Sequence, residues 1–366
     1  MNDLYRTLII HVKTSSITIS LFHHDVCIFK DVMRINTNLE QLEKMEDTVD
    51  RYSQLILQKM EQSNINVSRI SAVGANGGLI RPVEGGTYTV NEEIIFDLSN
   101  HYNGMHVSNI APLVAYKIAK GLNINAYIVD PPVVNEMNMT ATYTGLPDIE
   151  RKSIFHALNQ KYVARKVADS LNKAYEDSKF IIAHISSGIS IGAHEYGNVI
   201  DVNNGFHGEG PFSWERAGTI PSEALIQLCF SKNYAEEEVL KKITHGGGIK
   251  AYLETDNIDQ ILCDLAIEDK ETMNVFLAMG YQIAKEIGSM ASVLKGNVDA
   301  VIITGELANI TLLTDYIIKH VDWIADVFVY EGEYDVEAIN ESILRVLNSE
   351  LKAKDYDVIE KGEKMI

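Results

Sequence analysis

Ile10-His11-Val12-Lys13-Thr14-Ser15-Ser16-Ile17-Thr18-Ile19-Ser20 and Ala183-His184-Ile185-Ser186-Ser187-Gly188-Ile189-Ser190-Ile191-Gly192 decide the fold. Each stretch is an apolar strand carrying a histidine, a hydroxyl-rich tight turn, and a second strand. Hairpin signals are short, so two unrelated hairpins can share such a pattern. Here each one opens a half of the chain and is followed by further strands and helices. That favours a duplicated α/β architecture with a cleft between the halves. In such a cleft the two turns would face each other, a geometry suited to clamping the phosphates of a nucleotide.

Working outward from the first hairpin, residues 8–12 and 17–22 read as strands, and His23-His24-Asp25 turns into a third at 26–33. Leu42, Met45, Val49, Tyr52, Ile56 and Met60 recur three and four apart and mark one face of a helix. Residues 69–74 read as a strand ended by Asn76-Gly77-Gly78. Residues 127–130 form a short strand stopped by Pro131-Pro132, since proline has no amide to donate. The pattern restarts after Thr144-Gly145-Leu146-Pro147. Helices are predicted at 154–171, 236–243 and 273–294, and strands at 180–184, 189–192, 298–304 and 327–330. The apolar run at 298–304 is of the kind buried on both faces. Ile339, Ile343, Val346, Leu347 and Leu351 mark a last amphipathic helix, and the charged tail after Lys352 is expected to fray. The expected domains are 1–147, with the helix 336–353 packing back on it, and 148–335.

At 366 residues the chain exceeds what one core usually supports, and 46% apolar content is that of a globular protein. A formal net charge of −19 argues against nucleic acid and against an anionic membrane surface. A small anionic substrate remains compatible, because charge inside a cleft matters more than the total. Cys27, Cys229 and Cys263 are too few and too scattered for a disulfide framework or a metal knuckle, and read as buried thiols in a reducing cytosol. The opening residues lack the basic and apolar regions of a signal peptide, so the expected location is the cytoplasm.

Several longer stretches resemble butyrate kinases, within the acetate kinase branch of the actin, hexokinase and sugar-kinase superfamily. They include Gly85-Gly86-Thr87-Tyr88-Thr89-Val90-Asn91-Glu92, Arg151-Lys152-Ser153-Ile154-Phe155-His156-Ala157-Leu158-Asn159-Gln160-Lys161 and Val199-Ile200-Asp201-Val202-Asn203-Asn204. Gly208-Glu209-Gly210-Pro211-Phe212-Ser213 and Tyr281-Gln282-Ile283-Ala284-Lys285-Glu286-Ile287-Gly288 continue the match, which runs nearly end to end. The resemblance implies two ribonuclease-H-like (actin-like kinase) domains, an ATP site, Mg²⁺, and an acyl phosphate made from a short carboxylic acid. A carboxylate is already ionised at neutral pH, so such chemistry needs donors for the moving phosphoryl group rather than a general base.

Carried onto this sequence, the resemblance implies His184 and Arg216 as groups on the phosphoryl, with Asp130 beside metal and water. A core histidine, a surface ion pair and a turn former before two prolines are the respective plainer readings. Ser15, Ser16, Ser186, Ser187, Gly188, Gly305 and Glu306 fall where the family meets the nucleotide. Asn76, Gly77 and His106 fall on the substrate side. Glu333 or Asp335 corresponds to the other acidic metal residue.

The family motifs are nonetheless altered. Its opening Asn-Pro-Gly-Ser-Thr-Ser-Thr-Lys is His11 to Thr18 here, its Gly-Arg-Gly-Gly is Ala75-Asn76-Gly77-Gly78, and its His-Leu-Gly-Gly-Gly is His184-Ile185-Ser186-Ser187-Gly188. Thr-Gly-Gly has become Thr304-Gly305-Glu306, and Asp-Glu-Met has become Asn135-Glu136-Met137. Lost glycines impede close phosphate approach, and a lost arginine removes charge stabilisation. Three readings follow: an ATP-dependent carboxylate kinase, a silent paralogue that binds a nucleotide or a protein, or a kinase in which Lys13 supplies the missing charge. Self-association into a homo-oligomer is expected in each case.

Overall fold

The computed structural model describes residues 4–35 and 44–356; Leu42 of the first predicted helix lies outside them. Two compact units are present. One is built from residues up to Val134 and from Tyr334 onward, the other is Asn135–Glu333. The first boundary comes ahead of the expected position 147 because the intervening stretch is bonded to the second unit. Glu136 pairs with Lys161, and the Asn138 amide donates to Ile200 O at 2.9 Å.

In the first unit β1 (Arg6–Val12), β2 (Ser16–His23), β3 (Val26–Arg34), β4 (Ala72–Asn76), β5 (Thr87–Thr89) and β6 (Asn125–Val129) form one sheet, ordered β3-β2-β1-β4-β6-β5. β1 pairs antiparallel with β2 and parallel with β4. The strand expected at 69–74 starts at Ala72, since Asn66 accepts the Ser68 amide and curls Val67–Arg69 into a 3-10 turn. Helix Asp335–Leu347 packs on β1, β4 and β6. It can lie close because Gly74 has no side chain: a Cβ there would be 2.5 Å from both Ile339 and Ile343. The helix stops short of 353. Ser349 turns left-handed at φ 62°, and the Glu350 and Leu351 amides fold back onto Arg345 O.

The tail beyond it is held rather than frayed, as far as Tyr356. Lys354 exchanges backbone hydrogen bonds with Thr87 and Thr89 on β5, and the buried Tyr356 hydroxyl donates to the fully buried carboxylate of Asp97. Charge in the tail sequence hid this clasp, which depends on one aromatic anchor.

In the second unit β7 (Lys179–Ile185), β8 (Ile189–Glu195), β9 (Asn198–Val202), β10 (Ala300–Gly305) and β11 (Val327–Glu331) are ordered β11-β10-β7-β8-β9. Replacing β1, β2, β3, β4 and β6 by β7, β8, β9, β10 and β11 reproduces the first sheet's order, so the repeat in sequence is a repeat in topology. The alternation of β7 sorts its side chains. Ile181, Ala183 and Ile185 join the apolar core with Phe276, Met279 and Ile283 of helix Lys270–Val293. The opposite face takes helix Ala157–Ser170. The three cysteines are exposed, not buried. Each sits on an edge strand or a surface helix whose core positions are filled by other residues. No described helix is long and apolar enough to cross a membrane.

Candidate functional site

Where strands run parallel, as β7, β10 and β11 do here, ligand groups gather at their carboxyl ends. In the second unit those ends carry His184 on β7 with Ser186, Ser187 and Gly188 after it, Gly305 closing β10 with Glu306 after it, and Glu333 after β11. Gly305 is held at φ 104°, and a Cβ on it would lie 2.3 Å from Ile185 O, so the β10 turn packs directly on the β7 turn. Gly305 and Gly332 exchange backbone hydrogen bonds of 3.2 and 3.1 Å, which brings Glu333 alongside.

His184 is fully buried, and its Nε2 lies 3.3 Å from Glu333 Oε1, an ion-pair distance without hydrogen-bond geometry. Its ring stacks on His156, with centroids 3.8 Å apart. Arg216 reaches the same turn from a separate loop. Its Nη1 donates to Gly205 O at 2.9 Å and its buried Nε finds no acceptor. Burial pulls the guanidinium pKa down from its usual value, partly offset by Glu215. A guanidinium stays charged under such a shift, so a positive group with donors to spare stands against the turn.

The turn itself fits phosphate only in part. The Ser186 amide donates to Gly188 O at 3.1 Å and the Ser187 amide to Ser186 Oγ at 2.6 Å. Both are thus committed within the turn, which presents a phosphate with Arg216 more than with a cradle of amides. Among the described residues no three His, Cys, Asp or Glu side chains gather as metal ligands. Mg²⁺ travelling on phosphate oxygens needs only one or two carboxylates, a requirement Glu333 can meet.

In the first unit Asn76 lies at the end of β4, but its amide is turned onto β1. Oδ1 accepts the Val12 amide at 3.0 Å, and Nδ2 donates to Val12 O at 3.5 Å. Ser15 and Ser16 close the first turn, with the Lys13 amide on Ser16 O and the Ile35 amide on Ser15 O. Gly77 packs on Pro131, 2.5 Å from any added Cβ. Asp130 sits at φ 38° and accepts the Gly86 amide at 2.7 Å, the bond of a turn former. His106 caps the turn Val107–Asn109 through Nδ1, which accepts the Ser108 amide. Asp335 pairs with His11 at 3.1 Å. Each unit thus holds one of Glu333 and Asp335 beside its own strand histidine.

A model of the Acetokinase family matches residues 8–325. The chain belongs to that family. Among solved structures it is similar to the acetate kinases of Porphyromonas gingivalis (16% identity, TM-score 0.74, covering 93% of this chain and 99% of that one) and Entamoeba histolytica (15%, 0.72, 92% and 98%). A propionate kinase from Francisella tularensis is also similar (16%, 0.68, 92% and 99%). These likenesses show the two-domain, actin-like kinase fold.

Within this acetokinase fold, sequence reading missed a set of buried polar groups on the His184 face. His156, Gln160, Ser190, His194 and Tyr175 join in one hydrogen-bonded chain, and Asn159 accepts from Thr304 at 3.1 Å. The available signal was spacing. Ser190, Gly192 and His194 share one face of β8, while His156 and Gln160 lie four apart at the head of a helix. Gly192 has no side chain where a Cβ would meet Gln160 Oε1 at 2.8 Å. Other positions in the family-like stretches are structural ties. Arg151 pairs with Asp201 and Glu209; burial lowers its pKa, but the two carboxylates raise it further, to a net increase.

Proposed function

We propose that the protein transfers the γ-phosphoryl group of ATP to a short aliphatic carboxylate, of the butyrate kinase type: butanoate and ATP give butanoyl phosphate and ADP. The observation that carries this reading is Arg216, a buried guanidinium with an unfilled Nε–H laid across the Gly188 turn. Membership of the Acetokinase family supports it. A carboxylate oxygen attacks the γ-phosphorus, the bond to the ADP oxygen breaks, and no proton has to move because the acid enters ionised. Arg216 and the His184–His156 stack offset charge on the phosphoryl group. Glu333 is the residue that would hold Mg²⁺, whose own contribution is to neutralise phosphate charge. The test is hydroxylamine trapping of acyl phosphate with Mg²⁺-ATP and acetate, propionate or butyrate. Hydroxamate with butyrate above the others is expected, and none above a no-enzyme blank with any acid rejects the reading.

A second reading has its own support. The Ser186 and Ser187 amides are committed within their own turn and the Asn76 side chain to Val12 backbone, as suits a nucleotide-binding protein without turnover. Calorimetric binding of ATP with no hydroxamate selects it. Exposed Phe230, Tyr252 and Ile267 support self-association in either case, which light scattering measures. A cytoplasmic location completes the proposal.

A further inference from the structure

One backbone carbonyl fixes the polarity of the chain that ends at His156. Gln160 Nε2 lies 3.0 Å from Ser190 O, an atom that can only accept, so Nε2 is the amide nitrogen and Oε1 faces the other way. Oε1 is 2.9 Å from His194 Nε2, which must therefore carry the proton. His194 Nδ1 is then bare and accepts from the Tyr175 hydroxyl at 2.8 Å. In the other direction, Ser190 Oγ accepts from Gln160 Nε2 at 2.9 Å and from the His156 backbone amide at 3.3 Å. Both of its lone pairs are used. Its third contact, His156 Nδ1 at 3.0 Å, is left for the serine's own O–H to fill by donation.

We propose that the buried chain Tyr175–His194–Gln160–Ser190 sets the protonation state of His156, holding the ring neutral with its one proton on Nε2. Tyr175, His194, Gln160 and Ser190 are positioning residues. Their catalytic meaning rests on the reading that His156 and His184 face a phosphoryl group; the tautomer does not. The arrangement solves a problem posed by the stack. Two imidazolium rings 3.8 Å apart would repel. A neutral His156 removes that repulsion. Lys161, paired with Glu136, lies at the His194 end of the chain, over the Tyr175 ring. It also donates to Gly197 O. Burial, and secondarily the charge of Lys161, hold the His194 pKa well below its usual value, consistent with a neutral relay ring.

The test is a long-range proton–nitrogen correlation spectrum of the full chain carrying ¹⁵N-labelled histidine, between pH 6 and 8. His156 is assigned by signal loss in His156→Asn or by backbone-to-ring correlations. The expected pattern for His156 is a bare Nδ1 and a protonated Nε2 throughout. A proton on Nδ1, or a cationic ring at pH 7, overturns the proposal on the wild-type protein alone, whether or not any variant folds. In Ser190→Ala the His156 ring is expected to titrate or to move its proton, with kcat lower by about 10²-fold and KM for the acid nearly unchanged. A tautomer unmoved in Ser190→Ala also overturns it. Loss of all activity in the wild type would instead count against the proposed reaction, leaving the spectrum's answer intact.

Discussion

Gly188 and Arg216 share a space that admits only one of them in full: a Cβ at position 188 would lie 2.0 Å from Arg216 Nη1. The atom met is the far end of a flexible side chain, so the guanidinium gives way rather than the backbone. Gly188→Ala is therefore expected to fold normally, with Tm within a few degrees of wild type. Its phosphotransfer rate should fall on the order of 10²-fold because the displaced charge no longer sits at the turn. Parallel thermal melts and kcat measurements check the split; a fall in Tm with kcat intact would place Arg216 away from the chemistry.

Removing the charge itself should cost more. Arg216→Ala is expected to lower kcat by about 10³-fold or more, in the range of phosphoryl-stabilising arginines. Arg216→Lys should recover little of it, since an ammonium on a single stem lacks the planar fork that holds Gly205 O with one nitrogen and leaves others at the turn. Steady-state kinetics with Mg²⁺-ATP and butyrate decide.

The clasp of the tail predicts a stability effect far from catalysis. Tyr356→Phe deprives the buried Asp97 carboxylate of its hydroxyl donor, leaving Arg81 at 3.3 Å as its ion-pair partner. A loss of about 1–3 kcal/mol follows for a buried group stripped of a hydrogen bond. A shift in the urea midpoint measures it, and an unchanged midpoint would mean that Tyr356 is dispensable. The same bond, after burial, holds the Tyr356 pKa far above the ordinary phenol value.

Acid should weaken the second unit through His194. Its folded pKa is depressed, so below the ordinary value near 6.5 the unfolded chain binds a proton that the folded chain refuses. The related stability is complete above that pH and is lost as pH falls, at no more than about 1.4 kcal/mol per pH unit. His207, in an exposed loop and also lowered, first by desolvation, adds in the same direction, weakened by solvent screening. Denaturant titrations at pH 7.5 and 5.5 should show a smaller acid loss in His194→Gln than in wild type. Equal losses would sink the assignment.

Lys13→Ala tests the replacement-charge idea directly. If Lys13 stands in for the charge lost with the family's arginine and lysine, the variant should lose at least tenfold in kcat/KM, by the cost of one charged donor. Unchanged kinetics would remove Lys13 from the mechanism.

The fold was legible because its deciding signal is local. Two strand–histidine–turn–strand stretches can be read residue by residue, and each is a paired hairpin at the centre of its sheet. Three-residue β5 is too short to show an alternation, and helices Ser222–Phe230 and Ile258–Ala266 escaped the reading, whereas the helix expected at 236–243 is found at Glu236–Thr244. The site was less legible, for a physical reason. His184 and Arg216 belong to recognisable motifs, but Asn76 and Asp130 kept their motif positions while turning their polar atoms onto Val12 and Gly86. The His156 chain was missed because Ser190 and His194 alternate with apolar residues, as a solvent-facing strand edge does. Only the helix lying over them makes that face an interior one.

The return of the chain to its starting unit has a consequence for synthesis. Asn135–Glu333 is continuous and can close as soon as it leaves the ribosome. The first unit cannot. Its sheet waits for helix Asp335–Leu347 to cover Ile9 and Gly74, and for Tyr356 to reach Asp97. What is made first is finished last, reversing the usual N-to-C order of domain folding. Until translation passes that helix, the apolar face of the first sheet is what a chaperone would find.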